Sequence, residues 1–188
     1  MRRVKYLNNN QSLIDLCKKG DTNAQFEIYS LYSKAMYNTC LRIIGDTVEA
    51  EDVLQEAFFK AFDKINTYRN EVSFGAWLKR IVVNASLDQL KKSKVDLIPL
   101  DSIQEIKSES GEGDDFEPET VEELRWAIAQ LPEGYRTIVS LFYFEGYSHD
   151  EISQILGVKA STSRSQLTRA RQHLYELMKI KGKNIRHG

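Results

Sequence analysis

Three observations predict an all-α chain of two small helical domains, a helical bundle and a helix-turn-helix domain, joined by a flexible acidic linker. Apolar residues recur at helical spacing through residues 12–92 and again through 118–179. Between them, residues 93–117 lose that period, contain Pro99 and the run SESGEGDDFE, and turn strongly acidic. Residues 147–174, YSHDEISQILGVKASTSRSQLTRARQHL, read as two short helices meeting at Gly157.

A length of 188 residues suits two small domains, and 41% hydrophobic with 10% aromatic residues is a globular composition. No apolar run approaches the ~20 residues that cross a bilayer, and the amino terminus has no signal-like segment, so a cytoplasmic protein without membrane insertion is expected. Cys17 and Cys40 lack metal-ligand spacing and read as small apolar residues in helix packing; no metal or cofactor is expected. His149, His173 and His187 have no evident nucleophile or metal partner, and the glycines form no phosphate-cradling loop, which argues against an enzyme. The net charge of −1 conceals a segregation: residues 95–119 hold nine acids against Lys107 alone, leaving 25 bases against 18 acids elsewhere.

Residues 12–44 form two helices, with Gly20-Asp21 as the break between them and Gly45-Asp46 as the next; Leu13, Ile14, Cys17, Ala24, Phe26, Ile28, Leu31, Met36, Cys40 and Ile44 supply core. Residues 48–65, VEAEDVLQEAFFKAFDKI, make the strongest helix, with Val53, Leu54, Ala57, Phe58, Ala61, Phe62 and Ile65 on one stripe. Asp52, Gln55, Glu56 and Phe59 project oppositely, an acidic face with one aromatic anchor that suits a protein partner.

Residues 66–92 begin with a polar loop, Tyr68, Arg69, Asn70 and Ser73, and continue as a helix opened by Phe74 and Trp77. Leu78, Ile81, Val82, Ala85 and Leu87 pack inward, leaving Lys79, Arg80, Asn84, Asp88 and Lys91 on other faces. Aromatics interleaved with bases and an Asn suit single-stranded DNA, since unpaired bases stack on rings while Lys and Arg follow phosphates. Core packing explains Trp77 at least as well, whereas Tyr68 and Asn84 fit a core less readily.

Past the linker, residues 119–130 form an amphipathic helix with Val121, Leu124, Ala127 and Ile128 inward, ended by Leu131-Pro132; residues 133–145 form the next. Ser148 with Glu151 makes a capping box, and Ile152, Ile155 and Leu156 give that helix its apolar face. The last helix turns Leu167, Ala170, Leu174, Leu177 and Met178 inward and Arg164, Ser165, Thr168, Arg169 and Gln172 outward. Helices crossed at such a turn place the second in a major groove, where Arg and Gln reach base edges and Ser, Thr and Lys hold phosphates.

The whole resembles an extracytoplasmic-function sigma factor, the smallest class of the sigma-70 family, over residues 12–92 and 118–179. AEDVLQEAFFKAF resembles the family's core-polymerase-binding helix, YRNEVSFGAWLKRIVVNASLDQLKK its promoter-melting and −10-reading stretch, and LPEGYRTIVSLFYFEGYSHDEISQILGV with STSRSQLTRARQHL its −35-reading domain. The resemblance implies a transcription initiation factor without catalytic chemistry. Its partners would be core RNA polymerase, through the largest-subunit clamp helices and the flap region, promoter DNA, and an anti-sigma factor. Asp52, Gln55, Glu56 and Phe59 would dock on the clamp helices. Tyr68, Arg69 and Asn84 fall where the family captures a flipped −10 base, Trp77 belongs to the same −10 DNA-binding set, and Lys79, Arg80 and Lys91 would follow the backbone. Arg164, Ser165, Gln166 and Arg169 occupy the −35 contact surface, with Lys159, Thr162 and Arg171 on phosphates. Gln166 stands where the family often has Arg and offers an adenine-compatible amide; Ser163 replaces an apolar residue on the inward face. Two rival readings are a free-standing helix-turn-helix regulator binding duplex DNA as a dimer, and an adaptor that binds only proteins.

Overall fold

The computed structural model describes residues 9–93 and 120–185. The chain divides into two compact units, Met1–Ser93 and Lys94–Gly188. The predicted acidic linker at 93–117 lies almost wholly outside the described residues, as does Arg186 of the basic tail.

The first unit holds α1 (Gln11–Lys18), α2 (Thr22–Ile44), α3 (Thr47–Asp63) and α4 (Phe74–Ser93), with a 3-10 turn at Ile65–Thr67. Its helix starts are encoded locally. Asp21 accepts a hydrogen bond from the Ala24 amide, and Asp46 accepts from those of Val48 and Glu49, each at 2.9 Å, so two carboxylates satisfy first-turn donors and complement the helix dipoles. Gly45, at φ 85°, ends α2 in the left-handed region that a residue with a Cβ enters only at a cost. Helices α2, α3 and α4 pack on one another around Ile28, Cys40, Val53, Ala57, Phe58, Leu78 and Val82. Removing one large member such as Phe58 costs about 3–5 kcal/mol, because the cavity relaxes only in part. Both cysteines are buried and neither is in a disulfide, and burial, with Asp21 nearby, raises the Cys17 thiol pKa.

Phe26, expected in this core, is 70% exposed. At about 100° per residue it lies some 200° from both Ala24 and Ile28, the inward residues on either side. Leu31 is exposed as well.

The second unit holds α5 (Val121–Gln130), α6 (Glu133–Val139), α7 (His149–Leu156) and α8 (Ala160–Ile185). Thr120 caps α5 by accepting from the Glu123 amide at 3.1 Å. Leu124, Ala127 and Ile128 reach the core, but Val121, expected beside them, is 60% exposed at the helix's first position, one turn ahead of the packed residues. The core joins Leu131, Tyr135, Ile138 and Val139 to Leu167, Ala170 and Leu174 of α8.

The single helix expected over 133–145 gives way after Val139 to a π segment, Ser140–Phe144, whose wider turn is closed by the Glu145 amide on the Ser140 carbonyl at 3.0 Å. Apolar spacing over so few residues does not separate an α turn from a π turn. Gly146, at φ 76°, then redirects the chain into α7.

Candidate polymerase and nucleic-acid interfaces

On α3, Asp52, Gln55, Glu56 and Phe59 recur at i, i+3, i+4 and i+7, one stripe of the helix. They stand opposite the buried Val53, Leu54, Ala57 and Phe58. Phe59 is 75% exposed, an aromatic ring in water among carboxylates. Glu56 accepts from Lys60 Nζ at 2.7 Å, and that hydrogen bond holds its carboxyl below the usual range. The stripe is therefore apolar at Phe59 and anionic at Asp52, the composition that suits a basic protein surface with an apolar recess.

The second candidate surface lies on the 68–73 loop and α4. Arg80, Asn84 and Lys91, at i, i+4 and i+11, are exposed and fall within about 40° of one line along α4; Lys79, about 100° away, is half-buried. Arg69 is exposed on the loop.

Tyr68 departs from expectation. Its ring is 3% exposed, packed against Phe74 and Trp77 at centroid distances of 5.4 and 5.3 Å, and so offers no face to a base. Its hydroxyl donates to the Val72 carbonyl at 2.7 Å, which satisfies the polar tip inside the fold. Tyr68 supports the loop from within, its ring enclosed and its hydroxyl bonded. Trp77 is half-buried in the same aromatic cluster, 5.4 Å from Phe74.

Two loop contacts have no counterpart in the sequence reading: Lys18 Nζ donates to the Tyr68 carbonyl at 3.1 Å, and Asn70 Nδ2 donates to Gln11 Oε1 at 2.8 Å. The partners lie 50 and 59 residues apart, so no local signal announces them.

The third surface is α8, approached through α7. The capping box at Ser148 is complete: the Glu151 amide donates to Ser148 Oγ at 3.3 Å, and the Ser148 amide donates to Glu151 Oε2 at 2.8 Å. Gly157, at φ 69°, ends α7 and turns the chain towards α8. Arg164, Ser165, Thr168, Arg169 and Arg171 are exposed on α8, Lys159 is exposed just before it, and Thr162 is half-buried. Ser165 and Thr168 donate back to the carbonyls of Thr162 and Arg164, leaving hydroxyl lone pairs outward. Up to Glu176 the described part of α8 contains no acid, so the exposed face is uniformly cationic.

Gln166 does not belong to this face. It is 4% exposed, and its position, three residues after Ser163 and four before Ala170, places it on the inward line of α8. A buried amide cannot reach a base edge. Helical spacing along α8 already places it inward.

Ser163 is fully buried, and its Oγ lies 2.9 Å from Nδ1 of His149, whose ring stacks on Phe142 at 4.7 Å. His149 thus has a hydroxyl partner that the sequence did not disclose. With Ser163 enclosed, no substrate reaches this pair, and it acts as an interhelical bond between α7 and α8.

Two family models match the chain: "Sigma-70 region 2" over residues 28–95 and "Sigma-70, region 4" over residues 122–174. The ECF RNA polymerase sigma factor SigW of Bacillus subtilis is 32% identical over 171 residues, covering 84% of this chain and 90% of that protein. The RNA polymerase sigma-H factor of Pseudomonas aeruginosa is 31% identical over 174 residues, covering 86% and 90%. Among solved structures, the sigma factor RpoE of Bartonella quintana, in complex with the anti-sigma factor NepR, is similar with a TM-score of 0.55 at 23% identity, over 82% of this chain and 96% of that one. CnrH in complex with the cytosolic domain of CnrY has a TM-score of 0.52 at 18% identity, over 91% and 97%. At these identities the structural likeness speaks for the fold.

Proposed function

This chain belongs to the sigma-70 family, in its extracytoplasmic-function class, and from that premise we propose that it binds core RNA polymerase and directs it to promoters through one DNA-reading surface in each unit. The observation that carries the reading is the exposed face of α8, where Arg164, Ser165, Thr168, Arg169 and Arg171 gather without an acid behind a capped and glycine-turned α7. Arg164 and Arg169 supply the bidentate donors that read guanine edges, while Lys159, Thr162, Ser165 and Arg171 hold phosphates of the −35 element. Gln166 takes no part in this reading.

In the first unit, Phe59 with Asp52, Gln55 and Glu56 docks on the clamp helices of the polymerase largest subunit, and the second unit meets the flap region. Arg69 and Asn84 flank the site where an unpaired −10 base is captured, Trp77 backs it, and Lys79, Arg80 and Lys91 follow the strand. Capturing a flipped base offsets an unstacking cost of about a few kcal/mol, which is how a factor without chemistry of its own promotes melting. Polymerase holds both units at once, so two weak DNA contacts act as one strong site through effective concentration.

An anti-sigma factor is the expected regulator, as NepR partners the similar RpoE structure. Polymerase and promoter place the work in the cytoplasm; among the described residues no helix is long and apolar enough to cross a membrane.

The test is transcription by core polymerase on fragmented bacterial genomic DNA, with and without this protein. New transcripts that share a pair of upstream elements are expected. Tight binding of the protein alone to a duplex, with no new transcripts, would instead favour a free-standing dimeric regulator.

A further inference from the structure

We propose that α1 is the positioning element for the base-capturing loop: Gln11 and Lys18 hold residues 68–73 in the conformation that admits a −10 base. This rests on the −10 role proposed above for that loop and extends it to residues outside the segment matched to region 2, which begins at residue 28.

The loop is closed at its ends by its own residues. The Tyr68 hydroxyl donates to the Val72 carbonyl, and Ser73 Oγ accepts from the Ala76 amide at 3.2 Å to start α4. Between these points, Arg69, Asn70 and Glu71 belong to no helix or turn ladder. Helix α1 holds the loop at two places. Gln11 Oε1 accepts from Asn70 Nδ2 at 2.8 Å. Seven residues on, about two helical turns, Lys18 Nζ donates to the Tyr68 carbonyl at 3.1 Å and lies 5.7 Å from the centroid of the same ring. Two attachment points fix both the position and the rotation of the loop against α1, which one could not do. The Gln11 amide is itself oriented, because its Nε2 donates to Asp15 Oδ1 at 2.9 Å and so turns the oxygen towards Asn70.

Asn70 carries a cost that local preference does not offset. It is the only non-glycine residue at positive φ among those described, at 57°, a region Asn enters readily, but its Oδ1 is buried without a hydrogen-bond partner. An orphaned acceptor disfavours this state, and such a feature persists where surrounding contacts over-determine it. Without α1 the loop would have to be ordered at the moment of base capture, and the cost would fall on promoter melting.

The experiment uses the full chain with core polymerase and promoter templates carrying each base substitution in the −10 element, or a substituted −35 element. Strand opening is followed by the fluorescence of a base analogue. Gln11→Ala should reduce discrimination between preferred and substituted −10 bases about fivefold, the factor one net hydrogen bond supports, with −35 discrimination and core affinity unchanged. Asn70→Gly, which keeps the left-handed backbone accessible, should show the same loss. The double variant should lose no more than either single one, as a shared bond requires. Lys18→Met, which keeps the aliphatic stem, should act in the same direction. Retained −10 discrimination in these variants, equal slowing on every template, or additive losses would overturn the brace while leaving the loop's role intact. If the wild-type protein itself shows no −10 base preference, the loop's role fails and the brace with it.

Discussion

On α8, the side chains proposed to meet DNA are set by the helix that carries them. Ser148 and Glu151 start α7, Gly157 ends it, and Arg164, Thr168 and Arg171 then follow one another up a single line. Nothing comparable sets the loop at 68–73, which lies between a 3-10 turn and α4 and takes its form from an inward Tyr68 and from α1 residues 50 and 59 positions away. If both surfaces read DNA as proposed, they present their groups in two different ways. One is local and repetitive, so each residue contributes independently; the other is assembled from distant parts, so its residues should fail together.

The sharpest break of this contrast lies on the buried side of α8. Gln166→Arg, which restores the family's commoner residue, forces a guanidinium into an enclosed position and should lower the stability of the second unit by about 3 kcal/mol or more, read from thermal or denaturant unfolding. A changed −35 base preference with unaltered unfolding would return position 166 to the reading face.

Next in size, Arg164→Ala should cost about 1–3 kcal/mol of promoter discrimination at one −35 position, without affecting unfolding or core affinity. Loss spread evenly over all sequences would make Arg164 a phosphate contact instead. Phe59→Ala should weaken core-polymerase binding by more than about 1 kcal/mol while leaving stability unchanged, since its ring is already in water. Wild-type affinity would mean the ring is merely exposed.

The smallest effect concerns Glu56. Its folded-state pKa is depressed, chiefly by the hydrogen bond from Lys60. Its contribution to stability is therefore present above the unfolded-state value, near 4.3, and is lost as pH falls through the lower folded value. With both side chains about two-fifths exposed, solvent screening leaves only a few tenths of a kcal/mol. Lys60→Met should flatten that part of the acid limb of a stability–pH profile; an unchanged limb would assign the slope to other carboxylates.

What was legible in the sequence follows the same division. The glycine breaks at 20, 45 and 157, the Ser148 box and the stripe of α3 are signals within one or two turns, and the structure has all of them. Phe26 is exposed by helical phase and Val121 by its place at the helix end, neither of which apolar character alone carries. Tyr68 lies inward for a reason no local pattern carries. A loop aromatic with a polar tip is equally at home over DNA or folded inward, and only Phe74, Trp77 and the Val72 carbonyl decide between them. The π turn after Val139 and the His149–Ser163 bond likewise depend on neighbours that no window of sequence contains.

That last bond bears on the mechanics of reading. An apolar seam beneath a helix holds it by interdigitated side chains, whose contacts lack the angular dependence of a hydrogen bond. A 2.9 Å bond between a fully buried Ser163 and a ring clamped by Phe142 is instead a key in a slot. Arg164 and Arg169 sit one and six residues beyond that key and are exposed. If they read bases as proposed, the keyed joint sets a directional bond on the dry side of the helix against rotation of the side chains on its wet side.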